Sequence, residues 1–297
     1  MNRNIDGMIA DIWKTMRPNH WLKNVFVLAP LFFSGSVTDI EKVELTALAF
    51  VAFCLMSSAV YFLNDVLDRE RDKIHPVKRL RPIASGAISI PLANSIALIF
   101  CSGSLALSYS ITPAVSGILA SYAVVNIAYS TLLKHVVIAD VFCIALGFVF
   151  RVVAGAFSIG AHPTAWIVIA TFLLSLFLGL AKRRNELLLL GKESTDHRPI
   201  LDAYTPGLVD ELISVVTPIT LITYILYTLD TETTERFHSD YLYTTSIFVV
   251  FGIFRYLYLV HRENLGGSPT DIVIKDGPML GALIGWIATF TLFVYLA

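Results

Sequence analysis

The chain has 297 residues, 56% of them hydrophobic and only 15% charged, with a mean hydropathy of +0.69 and a formal net charge of -1 from 22 Lys and Arg against 23 Asp and Glu. Soluble domains carry roughly 25% charged residues, so the composition excludes an ordinary soluble enzyme, and the near-neutral balance excludes a nucleic-acid partner recruited by net positive charge. The apolar residues cluster into runs long enough to cross a hydrocarbon core, which takes roughly 20 residues; the chain reads as an integral membrane protein. Cys54, Cys101 and Cys143 each fall inside such a run without a short pairing motif, which argues against a disulfide framework or a zinc site and for buried, idle thiols.

The first 24 residues hold Arg3, Lys14, Arg17 and Lys23 without a continuous apolar stretch or a small-residue cleavage signal, and do not read as a secretory leader. Spans are predicted at roughly 24–36, 44–64, 90–110, 113–133, 136–158, 164–190, 209–228, 242–260 and 278–297. The runs are continuous rather than alternating, which favours helices over the strands of a membrane barrel. With these spans, nineteen Lys and Arg fall on one side of the membrane, Lys42 and Arg236 fall on the other, and Arg151 lies within the fifth span. The positive-inside bias then puts the N-terminus in the cytoplasm and the C-terminus outside. The expected fold class is all-α: a polytopic membrane protein of nine transmembrane helices in one bundle, residues 1–297 forming a single domain. Two long polar connections, of about 25 residues each, follow spans two and six on the cytoplasmic side; loops of that length in a compact bundle are usually functional.

The second span runs directly into Asn64, Asp65, Asp68 and Asp72. At 100° per residue these fall at about 0°, 100°, 40° and 80°, so a continuing helix lines one face with four oxygen-bearing side chains. Hard divalent cations take such oxygens, and Mg²⁺ commonly binds through one or two carboxylates plus substrate phosphates and waters. The competing reading is a solvated helix end whose acids pair with Arg69, Arg71 and Lys73. The basic cluster that follows, with Lys78 and Arg81, suits phosphate oxygens that a metal does not neutralise, although alone it would only satisfy the positive-inside bias or touch anionic lipid.

In the fifth span Asp140, Gly147, Arg151 and Ser158 share one face, and charges at such depth face a cavity or a partner. Asp140 and Arg151 stand three turns apart, roughly 16 Å along the axis, too far for direct pairing on a straight helix. The sixth span ends in Lys182, Arg183, Arg184 and Glu186; Lys182 and Glu186 also fit a simple i,i+4 pair, and Asp196, His197 and Arg198 follow in the loop. Arg17, Trp21 and Lys23 put cations and an aromatic ring at the interface, where an anchoring belt is the plainer reading. No nucleophile motif, phosphate-cradling glycine loop or haem-ligand spacing is present in the sequence.

Asn64-Asp65-x-x-Asp68-x-x-x-Asp72 after a second span, with nine spans and two long polar loops, resembles the UbiA superfamily of intramembrane prenyltransferases over nearly the whole chain. Arg17-Pro18 with Trp21, Lys23 and Asn24, Lys78-x-x-Arg81-Pro82, Tyr129 with Lys134 and Asp140, Gly147-Phe148 with Arg151, and Lys182-Arg183-Arg184-x-Glu186 look most like its decaprenyl-phosphate phosphoribosyltransferase branch. The resemblance implies a central cavity open to the cytoplasm in a bacterial-type inner membrane, and transfer of phosphoribose from PRPP to a polyprenyl phosphate for cell-envelope synthesis. It implies Mg²⁺ as cofactor on Asn64, Asp65, Asp68 and Asp72, with Asp65, Asp68 and Asp72 catalytic. Arg17, Lys23, Lys78, Arg81, Tyr129, Lys134, Asp140, Arg151, Lys182, Arg183, Arg184 and Glu186 are the implied substrate-binding residues. Membrane lipid is the surrounding partner, no nucleic acid is expected, and homo-oligomerisation is left open.

Aromatic prenyltransferases of the superfamily carry a second DxxxD motif after the sixth span, whereas this chain is strongly basic there and keeps only Glu186 and the more distant Asp196 and Asp202. More guanidinium groups and fewer ligands suit two anionic substrates. The alternative activity is transfer of an isoprenoid from its diphosphate to a hydroxybenzoate or naphthoate. A transporter is the non-enzymatic alternative, but gives no reason for the acids to concentrate at one mouth.

Overall fold

The computed structural model describes residues 5–190, 199–263, 267 and 269–296. These residues are helical with no strand among them, and divide into two compact units, Met1–Pro163 and Thr164–Ala297.

In the first unit, α1 (Ile5–Met16) leads into a 3₁₀ segment, Pro18–Leu28, and the five-residue α2, Ala29–Phe33. The long α3 (Ile40–Leu67) starts where Asp39 accepts the Lys42 N–H, and breaks at Asp68 before α4 (Arg69–Ile74). Then come α5 (Ile90–Ile111), α6 (Pro113–Thr131) and α7 (Ala139–Ser158). The starts of α5 and α6 follow local chemistry: Ser89 and Thr112 cap the first turn, and a proline follows at a position whose N–H would go unused. α3 packs along α5 through small residues, with Ala49, Ala52, Ala93 and Ala97 buried and the Ser104 hydroxyl donating to the Ala52 carbonyl at 2.7 Å. Close backbone approach of this kind is how helices associate where lipid removes the hydrophobic drive. Phe53, Met56, Leu119, Tyr122 and Val27 form the core between the 3₁₀ segment, α3 and α6.

The second unit contains α8 (Ala165–Leu190), α9 (Pro206–Leu229), α10 (Thr231–Phe237), α11 (Ser246–Arg262), α12 (Pro269–Lys275) and α13 (Gly277–Thr291). Phe177 of α8 meets Tyr256 of α11 with ring centroids 5.4 Å apart, and Trp286 of α13 donates to the Tyr224 hydroxyl of α9 at 2.6 Å.

Among the described residues eight helices are long and apolar enough to cross a membrane, against the nine expected. The difference lies at 24–36, where hydropathy alone suggests a span. Arg17 adopts a left-handed φ of 54°, Pro18 and Pro30 interrupt regular hydrogen bonding, and Asn24 is wholly buried against protein. The apolar run therefore folds as a 3₁₀ segment and a short helix.

Candidate active site

α3 carries a polar stripe, Cys54, Ser57 and Ser58, Tyr61, Asp65, at the three- and four-residue spacing that keeps one helix face. Its end is a charged centre. Asp65 and Asp72 are 2% and 4% exposed, and the Arg81 guanidinium bridges them, with Nη1 3.1 Å from Asp65 Oδ1 and 2.7 Å from Asp72 Oδ2. Arg17 Nη2 reaches the same Asp65 oxygen at 2.5 Å, and Lys134 Nζ lies 2.6 Å from Asp68 Oδ1. Three carboxylates thus face three cations. The local pairing with Arg69 and Lys73 goes instead to Glu70, at 3.3 and 2.7 Å; the bond from Lys73 holds the Glu70 carboxyl below the usual range.

Each cation is placed by a distinct piece of backbone. After α4 the chain makes a short 3₁₀ turn, Lys78–Leu80, and then buries Ile83 and Ile88 in a cluster with Phe62 of α3. The Ile83 carbonyl also accepts from Arg69 Nε at 3.4 Å. That anchor swings Arg81 back over the end of α3. Lys134 sits in the 3₁₀ turn Leu133–His135, and the chain enters α7 through Ile138 at φ 72°. Positive φ at a β-branched residue is an energetic outlier, and among the described residues of this unit Arg17 is the other non-glycine with positive φ. One strained position is itself a cation of the charged centre and the other lies four residues after Lys134, and strain of order 1–3 kcal/mol per residue gathers at functional sites.

Do these residues suit a divalent ion? Asp65 and Asp72 converge on one point, where the Arg81 nitrogen lies within 3.1 Å of both. Two hard oxygen donors at one point match the protein's share of a Mg²⁺ site that substrate phosphates and waters complete. Among the described residues no group of three or more His, Cys, Asp or Glu gathers to hold a metal alone. Asp68 is turned to Lys134, and Asn64, which directly precedes Asp65, is half-buried. The donor set fits a metal that arrives with a phosphorylated substrate.

Of the other residues singled out from the sequence, Lys23 is exposed on the 3₁₀ segment, Lys78 and Tyr129 are half-buried, and Asp140 is buried in the first turn of α7. Arg151 is 5% exposed and bonded to Asn24, Gly147 and Tyr122 rather than to the aspartates. In the second unit, Lys182 is exposed, Arg183 pairs with Glu186 at 2.5 Å, and Arg184 donates to Asp210 at 2.6 Å and to the Val260 carbonyl at 3.1 Å. Asp196, His197 and Arg198 lie outside the described residues. Sequence reasoning did not single out His20, whose Nδ1 is 3.0 Å from the Tyr61 hydroxyl, nor Tyr61, whose ring lies 4.7 Å from the Arg17 guanidinium. The stripe leading along α3 to Asp65 was the signal that would have found Tyr61.

The UbiA prenyltransferase family model matches residues 25–269. A decaprenyl-phosphate phosphoribosyltransferase of Mycobacterium tuberculosis is 31% identical, covering 95% of this chain and 94% of its own length. One from Mycolicibacterium smegmatis is 29% identical over 97% of this chain and 94% of its own. A UbiA homolog from Archaeoglobus fulgidus bound to DMAPP and Mg²⁺ superposes with a TM-score of 0.72 at 19% identity, covering 97% of this chain and all of that one, which is a likeness of fold. Matched along most of its length by the family model and by a relative above 30% identity, the chain belongs to the UbiA prenyltransferase family of membrane transferases.

Proposed function

We propose that the protein transfers 5-phosphoribose from PRPP to a polyprenyl phosphate of the decaprenyl type, with release of diphosphate, and that the reaction depends on Mg²⁺. The carrying observation is the charged centre itself: aspartates interleaved with Arg17, Arg81 and Lys134, a mixture suited to one substrate that brings a metal and a second that brings only negative charge. Relatives of about 30% identity over nearly the whole chain, named decaprenyl-phosphate phosphoribosyltransferase, support the same assignment.

Asp65, Asp68 and Asp72, with Asn64, are the residues that would hold Mg²⁺, which when bound neutralises charge developing on the departing diphosphate. Arg17, Arg81 and Lys134 exchange carboxylate oxygens for phosphate oxygens, keeping the centre compensated as substrate enters. In the transfer, the bond from the anomeric carbon of ribose to the diphosphate oxygen breaks, its electron pair leaving with diphosphate, and a bond from that carbon to an oxygen of the lipid phosphate forms. The acceptor is already an anion and needs no general base, so the protein's task is positioning and charge stabilisation. Lys23, Lys78, Tyr129 and Asp140 of the first unit are further proposed substrate-binding residues, and Lys182, Arg183, Arg184 and Glu186 of the second unit are proposed for substrate phosphates on the basic character of their segment alone. We place this chemistry on the cytoplasmic side, where the excess of Lys and Arg falls.

The test is a paired assay of purified protein, with and without Mg²⁺, given either PRPP plus polyprenyl phosphate or a prenyl diphosphate plus hydroxybenzoate or naphthoate. Phosphoribosyl lipid in the first mixture is the expected result. Product in only the second would reject this activity in favour of aromatic prenyl transfer.

A further inference from the structure

We infer that Asn24 and Arg151 form a positioning relay that sets Arg17 against Asp65; the kinetic arm of its test rests on the phosphoribosyl-transfer reading.

Arg151 stands inside α7, 5% exposed, with its guanidinium carbon 5.1 to 5.6 Å from the ring centres of Phe53, Tyr122 and Phe148. It forms no salt bridge with a carboxylate among the described residues. Its Nε donates to Asn24 Oδ1 at 2.8 Å, its Nη1 to the Gly147 carbonyl at 2.6 Å and its Nη2 to the Tyr122 hydroxyl at 3.3 Å. A guanidinium held at membrane depth among neutral partners is costly, and this one is turned to the 3₁₀ segment rather than to the aspartates. Its connection to the charged centre runs through Asn24.

Asn24 is wholly buried and double-ended. Its oxygen accepts from Arg151 of α7, while its nitrogen lies 3.3 Å from both Cys54 Sγ and Ser57 Oγ of α3. From that point the 3₁₀ segment climbs α3 by successive polar rungs. Trp21 Nε1 donates to Ser58 Oγ at 3.2 Å, His20 meets the Tyr61 hydroxyl at 3.0 Å, and Arg17 ends the ladder on Asp65 at 2.5 Å. A second grip lies one turn further along α7, where a Cβ on Gly155 would overlap the Val27 carbonyl oxygen and approach Pro30 Cδ to 3.2 Å. The register of the segment is thus set by α7 at Asn24 and Val27, and read out at Arg17.

The consequence is kinetic. A misplacement of about 1 Å at a positioned group can cost about 100-fold in rate. Asn24→Ala and Arg151→Gln should each lower kcat by about 10- to 100-fold, with KM changing less, and the double variant should lose no more than the worse single one. In an Arg17→Ala background, adding Asn24→Ala should change kcat less than about twofold, because the relay then has nothing to place. Asn24→Asp keeps the acceptor oxygen for Arg151 but loses the amide donors to Cys54 and Ser57, so its kcat should fall between those of the parent and Asn24→Ala. The Asn24 variants carry this arm should Arg151→Gln fail to fold.

An independent arm needs no turnover. Arg17→Cys and Asp65→Cys introduced together should be joined in detergent by a short thiol-reactive linker, scored by peptide mass. That cross-link should fall about fivefold or more when Asn24→Ala is added. Undiminished cross-linking, or an Asn24→Ala loss that persists in the Arg17→Ala background, would overturn the relay. Absence of phosphoribosyl transfer by the unaltered protein would instead strike the proposed activity, leaving the cross-link to decide this inference.

Discussion

Lys134 Nζ lies 2.6 Å from Asp68 Oδ1 across 66 residues of sequence, binding the turn before α7 to the break after α3. Asp68 therefore has its own cation, separate from the Arg81 bridge that joins Asp65 to Asp72. Asp68→Asn is expected to abolish Mg²⁺-dependent turnover while leaving the protein folded in detergent; full activity would contradict the metal assignment. Lys134→Gln should lower kcat/KM about 10- to 100-fold if the ammonium passes to a substrate phosphate. Its melting temperature should move little, because both partners are about one-fifth exposed and such pairs contribute on the order of 1 kcal/mol or less. Initial rates and melting curves on the same preparations separate the two effects.

Arg81 competes with a metal for the oxygens of Asp65 and Asp72. Arg81→Gln removes the competitor and a phosphate ligand together, so two measurements should move in opposite directions. Substrate-free protein should bind Mg²⁺ more tightly, seen as thermal stabilisation at lower metal concentration, whereas the KM for PRPP should rise about tenfold or more. A parallel weakening of both would show that Arg81 only shapes the loop.

Hydropathy was enough to find the eight helices long and apolar enough to cross a membrane, since each is a continuous apolar run, and some also carry a local start signal such as Ser89 or Thr112. It failed at 24–36 because hydropathy is blind to a buried amide: Asn24 is satisfied by Arg151, 127 residues away. The aspartate cluster was legible in the spacing, and Asp65 and Asp72 do share Arg81, but the continuing helix expected to carry them breaks at Asp68, so they meet across the junction of α3 and α4. What one sequence could not give is the choice of cation. Arg69 and Lys73 lie nearest along the chain, yet Arg17 and Lys134 reach the aspartates from 48 and 66 residues away because the 3₁₀ segment and the turn before α7 are folded against α3.

Gly155 faces the backbone of the 3₁₀ segment rather than a flexible side chain. Gly155→Ala must therefore push that backbone or bend α7, and overpacking of this kind costs about 1–3 kcal/mol despite alanine's better helix propensity. The variant should melt lower and lose activity. Gly103→Ala, on α5 with open space where its Cβ would go, should match the parent or melt slightly higher. A Gly155→Ala protein as stable as the parent would mean that α7 does not grip the segment there.

In the second unit Asp276 caps α13, accepting the Met279 N–H at 2.9 Å, and takes the Arg255 guanidinium as a fork at 3.1 and 2.8 Å. The Arg255 hydrogen bond, followed by that of the Met279 N–H, holds the Asp276 carboxyl below its usual value of about 3.9. A carboxyl whose folded value is depressed binds fewer protons than in the unfolded chain, so its contribution to stability is fully present above about pH 4 and is lost as pH falls through the folded value. Asp276→Asn keeps an oxygen for the cap but gives up the charge that Arg255 meets. It should melt lower than the parent at pH 7, with the same gap at pH 5, and the gap should close as the pH is taken below about 4. Melting temperatures of both proteins from pH 7 to pH 3 measure this; a gap that stayed constant to the acid end would assign Asp276 a purely hydrogen-bonding role at the cap.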